Sequence, residues 1–411
     1  MQIDFLNITL IVTVSLWVFS IGYLVFSLVT IEIFKYKKTK KVKPENFFPP
    51  VTILKPIYGL DPDMTNCLRS FCQQDYPKYQ VIFGLQDKND PALPVVKKIT
   101  KEFSNNDVSF IVNTDLHGTN HKVSNLINMN SNIKYEYILI ADSDMRVSKN
   151  YLSEVMHPFS DTKIGAVTCL YSGVSKNKVT SKLNAMFINS WFFPSVLISR
   201  LLQPIQFCFG ATMIVKRNIL NKIGGFESLS NHLADDYILG KLISNLGYEI
   251  CLSDYVVENI VEEASFKNLI LHELRWARTL RRVEPLGYAL TFLTDSLILS
   301  FILSFILYLE TKIIILCFLP ILLTFMLQVL LHNSSNEINN SKNAPEIWLI
   351  PLRNVLSFCI RVISYTGNLV KWRNNTFSVD HLGLIHEKQT VALRNADNSG
   401  KITESVTSED F

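Results

Sequence analysis

The run Tyr137-Ile-Leu-Ile-Ala-Asp-Ser-Asp-Met-Arg-Val147 decides how this chain folds. Ile138 to Ala141 is a short apolar stretch with the length of a buried strand. It stops abruptly at two carboxylates, Asp142 and Asp144, separated by one small residue. In open α/β sheets, ligands bind beyond the carboxyl ends of the strands. Two acids in such a place are costly unless something positive neutralises them. A divalent cation, Mg²⁺ or Mn²⁺, carrying a diphosphate suits them, because these ions prefer carboxylate oxygens together with substrate phosphates. A solvated Asp-rich turn would produce the same letters, so the choice rests on the flanking sequence.

Working outward, strand and helix signals alternate. Val51–Leu54, Tyr79–Leu85 and Val108–Val112 are strand-like; Met64–Gln74, Pro94–Phe103 and Lys122–Asn130 are helix-like. This βαβ alternation predicts an α/β domain with a mainly parallel sheet and helices on both faces. Three of the four strands run into a charged residue, Lys55, Asp87 or Asp142. Beyond them, Ile164–Tyr171 is a further strand, and Phe209–Val215 is a strand interrupted by Gly210, where backbone can approach a ligand closely. Leu233-Ala-Asp-Asp-Tyr237 opens a helix with two acids in its first turn, which would also complement the helix dipole. His272-Glu-Leu-Arg-Trp276 lies on a helix leading into an apolar block; its Arg-Trp pair suits a membrane interface or a diphosphate equally.

The apolar residues of this 411-residue chain are unevenly spread. Mean hydropathy is +0.19. Ile8 to Phe34 is apolar with Glu32 its only charge, long enough for a spanning helix of about 20 residues; we expect an uncleaved anchor over residues 1–34. The collar Lys35-Tyr-Lys-Lys-Thr-Lys-Lys-Val-Lys43 places the following domain, residues 35–285, on the cytoplasmic side. Leu286–Leu309 and Ile313–Leu331 form a hairpin of two spans within 286–332. Ile347–Val370 contains Pro351, Arg353 and Arg361, with both arginines near one helical face. Charges inside a span are expensive, so the segment within 333–387 is expected to lie in the interface or re-enter. Residues 388–411 are polar and aperiodic, the signature of a disordered tail. The net charge of +4 belongs largely to the collar, and no basic face interleaved with aromatics suggests nucleic acid. The seven cysteines lack zinc or redox spacing, which suits a reduced compartment.

The ordered series Asp87, Asp142-Ser-Asp144, Asp236 and Arg275-Trp276 resembles that of the family 2 type inverting glycosyltransferases, which have a GT-A nucleotide-sugar-binding fold. Leu54-Lys-Pro-Ile-Tyr-Gly59, Gln74-Asp-Tyr-Pro-Lys-Tyr79, Gln86-Asp-Lys-Asn-Asp-Pro91 and Ala234-Asp-Asp-Tyr237 are similar to ceramide glucosyltransferases, family 21. Gly118–Asn128, Ile140–Val147 and His272–Trp276 are most similar to the bacterial hopanoid branch, whose members glycosylate a hopanoid polyol. His272 departs from the Gln or Arg usual at its position, and the Asp235-Asp236 doublet leaves a one-residue ambiguity that the ceramide branch resolves in favour of Asp236.

The resemblance implies an inverting transfer of N-acetylglucosamine or glucose from a UDP-sugar to a membrane lipid hydroxyl. It makes Asp236 the general base, Asp144 with Asp142 the metal ligands, and Arg275 and Trp276 a donor for the departing diphosphate and an apolar wall. Asp87 then accepts from uracil or ribose, and Lys122 and Asn125 contact the donor's phosphates or sugar. The expected setting is a multi-pass protein of the bacterial inner membrane. A ceramide acceptor, a polysaccharide synthase sharing the same acid series, and a membrane-anchored nucleotide-sugar binder without turnover are the competing readings.

Overall fold

A computed structural model describes residues 5–39, 47–176, 178–338, 346–372, 375–380 and 383–387. The tail at 388–411 and the collar lysines 40, 41 and 43 lie outside these residues. The eight strands of the main sheet, in chain order, are β1 (Val51–Pro56), β2 (Tyr79–Leu85), β3 (Val108–Val112), β4 (Tyr137–Ile140), β5 (Met145–Arg146), β6 (Ile164–Ser175), β7 (Met213–Lys216) and β8 (Glu249–Val261). Their spatial order is β3-β2-β1-β4-β7-β6-β8-β5. The pairs β3–β2, β2–β1, β1–β4 and β6–β8 are parallel, whereas β7 runs antiparallel to β4 and β6, and β5 antiparallel to β8. The expected mainly parallel sheet is therefore present with antiparallel insertions.

Those insertions build the site. Because β7 is antiparallel, its amino end lies beside the carboxyl end of β4, with Met213 opposite Ile140. This carries Gly210, just ahead of β7, to Asp142, just after β4. Likewise β5 pairs with β8 so that Asn259 stands opposite Met145, next to Asp144.

Strand residues alternate between two buried clusters, as pleating requires. Leu54, Ile82, Ile138 and Ile140 belong to one, together with Val123 and Leu126 of the helix His121–Met129. Val51, Ile53, Val81, Phe83 and Leu139 belong to the other, against Leu68, Phe71 and Val96. The His121–Met129 helix starts cleanly because Asn120 caps it, accepting from Val123 N at 3.1 Å.

The first cluster extends into the apolar helices through Leu24, Ile31 and Phe34 of the amino-terminal helix Phe5–Thr39. Among the described residues, three helices are long and apolar enough to cross a membrane: Asn7–Lys38, Val179–Leu202 and Ile314–Ile338. A fourth segment, Pro285–Thr294 with Ser296–Thr311, is bent by 51° where the sequence suggests one continuous span. The break is at Asp295, which is buried and paired with Arg361. Val179–Leu202 was not anticipated from the sequence, and half of it is buried against the rest of the chain. The Arg-containing segment forms the helix Leu349–Ser364 and then joins a small antiparallel sheet of β9 (Leu369–Trp372), β10 (Asn375–Val379) and β11 (Ile385–Glu387).

Both arginines of that helix are satisfied by acids. Arg353 makes a two-pronged pair with Glu273 at 2.6 and 2.7 Å, and Arg361 pairs with Asp295. Burying a guanidinium is tolerable only with such a partner. Glu273 lies next to Leu274 and Arg275, so this helix is locked to the one carrying the Arg-Trp pair.

Candidate active site

The turn after β4 is held from several directions. Asp142 N donates to Gly210 O at 3.3 Å, and Ile260 N to Asp144 O at 3.0 Å. Beneath the turn, the ammonium of Lys55 donates to the Asp142 carbonyl and lies 3.7 Å from the centre of the Phe71 ring. Lys55 is fully buried, and burial pulls its pKa down to about 8 against the attraction of Cys67, Asp144, Asp142 and Asp61. Ser143 donates to Asp61.

The Asp142 carboxylate pairs with Lys122 at 2.8 Å, and the same ammonium lies 3.2 Å from Asp235. Burial works against the charge on Lys122, but Asp142, Asp235 and Asp236 outweigh it and hold its pKa above the usual lysine range. The Asp144 carboxylate accepts from Asn259 Nδ2 at 2.8 Å. Burial, with Asp61 and Asp142 nearby, raises its pKa to about 7.

Asp235 and Asp236 open the helix Asp235–Asn245 with different surroundings. Asp235 is held by Lys122 and by Asn120 at 3.5 Å. Asp236 accepts backbone amides: Gly210 N at 2.9 Å and Tyr237 N at 2.8 Å. Its pKa is raised to about 6, first by burial and then by the charge of Asp235, with Lys122 opposing.

Arg275 and Trp276 lie on the helix Phe266–Val283, capped by Ser265. Trp276 meets His272 edge-on at 4.4 Å between ring centres and stacks near Phe187 at 6.1 Å. His272 Nδ1 is 2.6 Å from Glu263 Oε1, which also accepts from Asn184 at 3.0 Å.

Asp142, Asp144, Asp236, Lys122, Asn125, Arg275 and Trp276 all border one cavity of about 890 Å³ that reaches Tyr288, Ile360 and Arg361 among the apolar helices. Asp87 is not among its lining residues. It is exposed and accepts from Asn89 N at 2.8 Å in a local turn, and Gln86 borders the cavity instead. Asn125 uses its amide nitrogen on Gly84 O at 2.8 Å, fixing its helix to β2. A Cβ on Gly84 would stand 2.3 Å from both Asn125 Oδ1 and Met129 Sδ, so a side chain there would push these two aside.

Sequence reasoning missed Asp61, Lys55, Asn259 and Glu263. Lys55 stood in a recognised stretch, but nothing in it signals full burial. Asn259 is supplied by β8, a strand of 13 residues without a motif. Among the described residues, no group of three or more His, Cys, Asp or Glu side chains is arranged as a preformed metal centre.

The mixed sheet, with acids at the carboxyl end of β4, and the Arg-Trp helix leading into helices long and apolar enough to cross a membrane are what a glycosyltransferase acting at a membrane would need. The chain belongs to glycosyl transferase family 21, whose profile matches residues 12–385. It is 24% identical over 386 residues to ceramide glucosyltransferase 3 of Caenorhabditis elegans, covering 90% of this chain and 82% of the worm protein. It is 37% identical over 124 residues to the ceramide glucosyltransferase of Komagataella phaffii, covering 29% of this chain and 24% of the yeast protein. Among solved structures, a mannosyltransferase of Pyrobaculum calidifontis in complex with GDP-Man and Mn²⁺ matches 85% of this chain and 95% of that one at 17% identity, with a TM-score of 0.46.

Proposed function

We propose that this enzyme transfers a hexosyl group, N-acetylglucosamine or glucose, from a UDP-sugar to a hydroxyl of a membrane lipid with inversion, and that the acceptor is a hopanoid polyol. The observation that carries this reading is Asp236. Its carboxylate is oriented by two backbone amides at the edge of a cavity running from the Asp142–Asp144 turn to the apolar helices. A raised pKa near 6 leaves it largely ionised at neutral pH yet basic enough to accept a proton.

In one displacement, the acceptor oxygen attacks the anomeric carbon as its proton passes to Asp236. The bond from that carbon to the β-phosphate oxygen breaks, and UDP leaves. Asp235 is not the base in this scheme, because Lys122 and Asn120 engage it. Arg275 faces the departing diphosphate, and Trp276 with Phe187 forms an apolar wall toward the lipid.

The donor set fits a hard divalent cation. Asp142 and Asp144 share the cavity with Asp61, and burial, followed by repulsion from Asp61 and Asp142, raises the pKa of Asp144. A Mg²⁺ or Mn²⁺ ion held by Asp142 and Asp144 would neutralise charge on the leaving diphosphate. The lysine collar supports a catalytic domain, 35–285, on the cytoplasmic face of a bacterial inner membrane. Ceramide is the second acceptor reading, supported by the names of the relatives; the hopanoid reading rests on motif similarity.

The test is UDP release with and without added lipid, with Asp236→Asn beside the wild type. Release only with a hopanoid polyol supports the proposal, and release only with ceramide moves the acceptor to the second reading. Asp236→Asn should lose transfer while retaining UDP. Near-normal turnover in that variant would overturn the base assignment.

A further inference from the structure

The cavity has a wall that the reaction above does not use. The small C-terminal sheet, far in sequence from the acids, contributes Lys371 and Phe377 to the lining. This sheet is fastened to both elements that carry reactive groups. On one side, Leu233 N donates to Gly383 O at 3.2 Å and Ile385 N to Asn231 O at 3.0 Å, directly ahead of Asp235 and Asp236. Leu233 also shares a buried cluster with Val370, Phe377, Val379 and Ile385. On the other side, Arg278 donates to the Leu369 carbonyl, and Arg281 to Gly367 O at 2.9 Å and Asn368 Oδ1 at 2.7 Å. Both arginines lie on the helix that carries Arg275 and Trp276. The sheet is thus held in place beside the reactive groups, with Phe377 buried and Lys371 exposed.

Charge distinguishes Lys371 from Lys122 and Arg361 on the same lining. Lys122 is paired with Asp142 and Asp235, and Arg361 with Asp295. The side chain of Lys371, whose backbone pairs with Thr376 in the small sheet, has no hydrogen bond or ion pair among the described residues. A lysine that gives its charge to no protein carboxylate, on a wall shared with the acids, suits a mobile anion.

We infer that Lys371 is a binding residue for phosphate, and that the phosphate it meets is the diphosphate of the nucleotide. The inference rests on the donor reading above. An anionic lipid headgroup offers the same chemistry. The nucleotide is favoured because β9, the strand that carries Lys371, is the edge fastened through Leu369 to Arg278, one helical turn beyond Arg275, which the donor reading sets against the diphosphate.

The test is calorimetric titration of the full chain in detergent with UDP at saturating Mn²⁺, comparing wild type, Lys371→Met and Lys371→Arg. Lys371→Met should weaken UDP about tenfold, the scale of one charge-assisted hydrogen bond, and change uridine binding far less. Lys371→Arg should recover most of the loss. Wild type that binds UDP while Lys371→Met binds it equally well overturns this inference alone. If that variant instead loses affinity only for phosphatidylglycerol vesicles, the contact belongs to lipid and the inference also fails. Wild type that binds no UDP overturns the donor reading and this inference with it.

Discussion

The amide of Gly210 donates to Asp236 Oδ2 at 2.9 Å, tying the turn before β7 to the proposed base. The carbonyl of the same glycine accepts from Asp142 N at 3.3 Å. One residue without a side chain therefore sets the distance between the base and the acidic turn. A Cβ added there would stand 2.6 Å from Asp142 Oδ2 and 3.4 Å from Lys122 Nζ. The carboxylate can swing away, so Gly210→Ala should unfold at nearly the wild-type temperature. Displacing Asp142 from Lys122 should nevertheless cut turnover by about 100-fold, the usual effect of misplacing a group by about 1 Å. Thermal unfolding and initial rates, measured on the same sample, check both halves.

The proposed base, Asp236, sets the expected pH dependence. A general base works only when ionised, and this carboxyl is raised to about 6. Activity should therefore rise with pH through about 6 and level off above it. Asp235 raises that pKa by like-charge repulsion, so Asp235→Asn should move the acid limb to lower pH. A kcat/KM profile of the two proteins reads the shift directly; an unmoved or upward-shifted limb means that Asp236 does not control it.

The Glu273–Arg353 pair makes a stability prediction. Both side chains are buried, and Arg353 also reaches Leu183 O at 3.2 Å and Ser357 at 3.0 Å. Arg353→Met leaves a buried carboxylate without its partner, which typically costs about 3–5 kcal/mol. Removing both charges in Glu273→Met/Arg353→Met should restore most of that loss, because the isolated charge, rather than the missing bond, is what destabilises. Denaturation of the three variants in one detergent measures the coupling.

The sequence carried much of the parallel half of the sheet because β1, β2, β3 and β4 are short apolar runs that end in polar residues. The antiparallel half was harder to read. β7 and β8 owe their neighbours to tertiary pairing, which no local period records, and the bend at Asp295 depends on Arg361, distant in sequence. The acids of the site were legible for a different reason: Asp142, Asp144 and Asp236 stand at strand and helix ends, where a carboxylate is informative. Asp87 looked the same in sequence but sits in an exposed turn, because one residue's difference in position decides which of Gln86 and Asp87 faces inward. Lys55 and Asn259 support the acidic turn from within the fold, and only burial reveals them.

Asn259 provides the test of the cation reading that leaves the carboxylates themselves intact. Its amide donates to Asp144 Oδ2 at 2.8 Å, and Ile260, the next residue, donates its amide to the Asp144 carbonyl. The side-chain bond fixes the carboxylate's orientation and favours its ionised form, opposing the burial that raises its pKa to about 7. Asn259→Leu removes the donor at similar volume and should leave the carboxylate both less well aimed and easier to protonate. If Asp144 holds the ion, Mn²⁺ affinity should fall about 10–100-fold, the range for loss of a group that orients a metal ligand. Turnover should recover in part as Mn²⁺ is raised, and chelation should abolish it in the wild type. Titrating Mn²⁺ by electron paramagnetic resonance separates binding from activity: a variant that binds the ion like wild type but turns over slowly would place Asp144 in donor orientation rather than in metal binding.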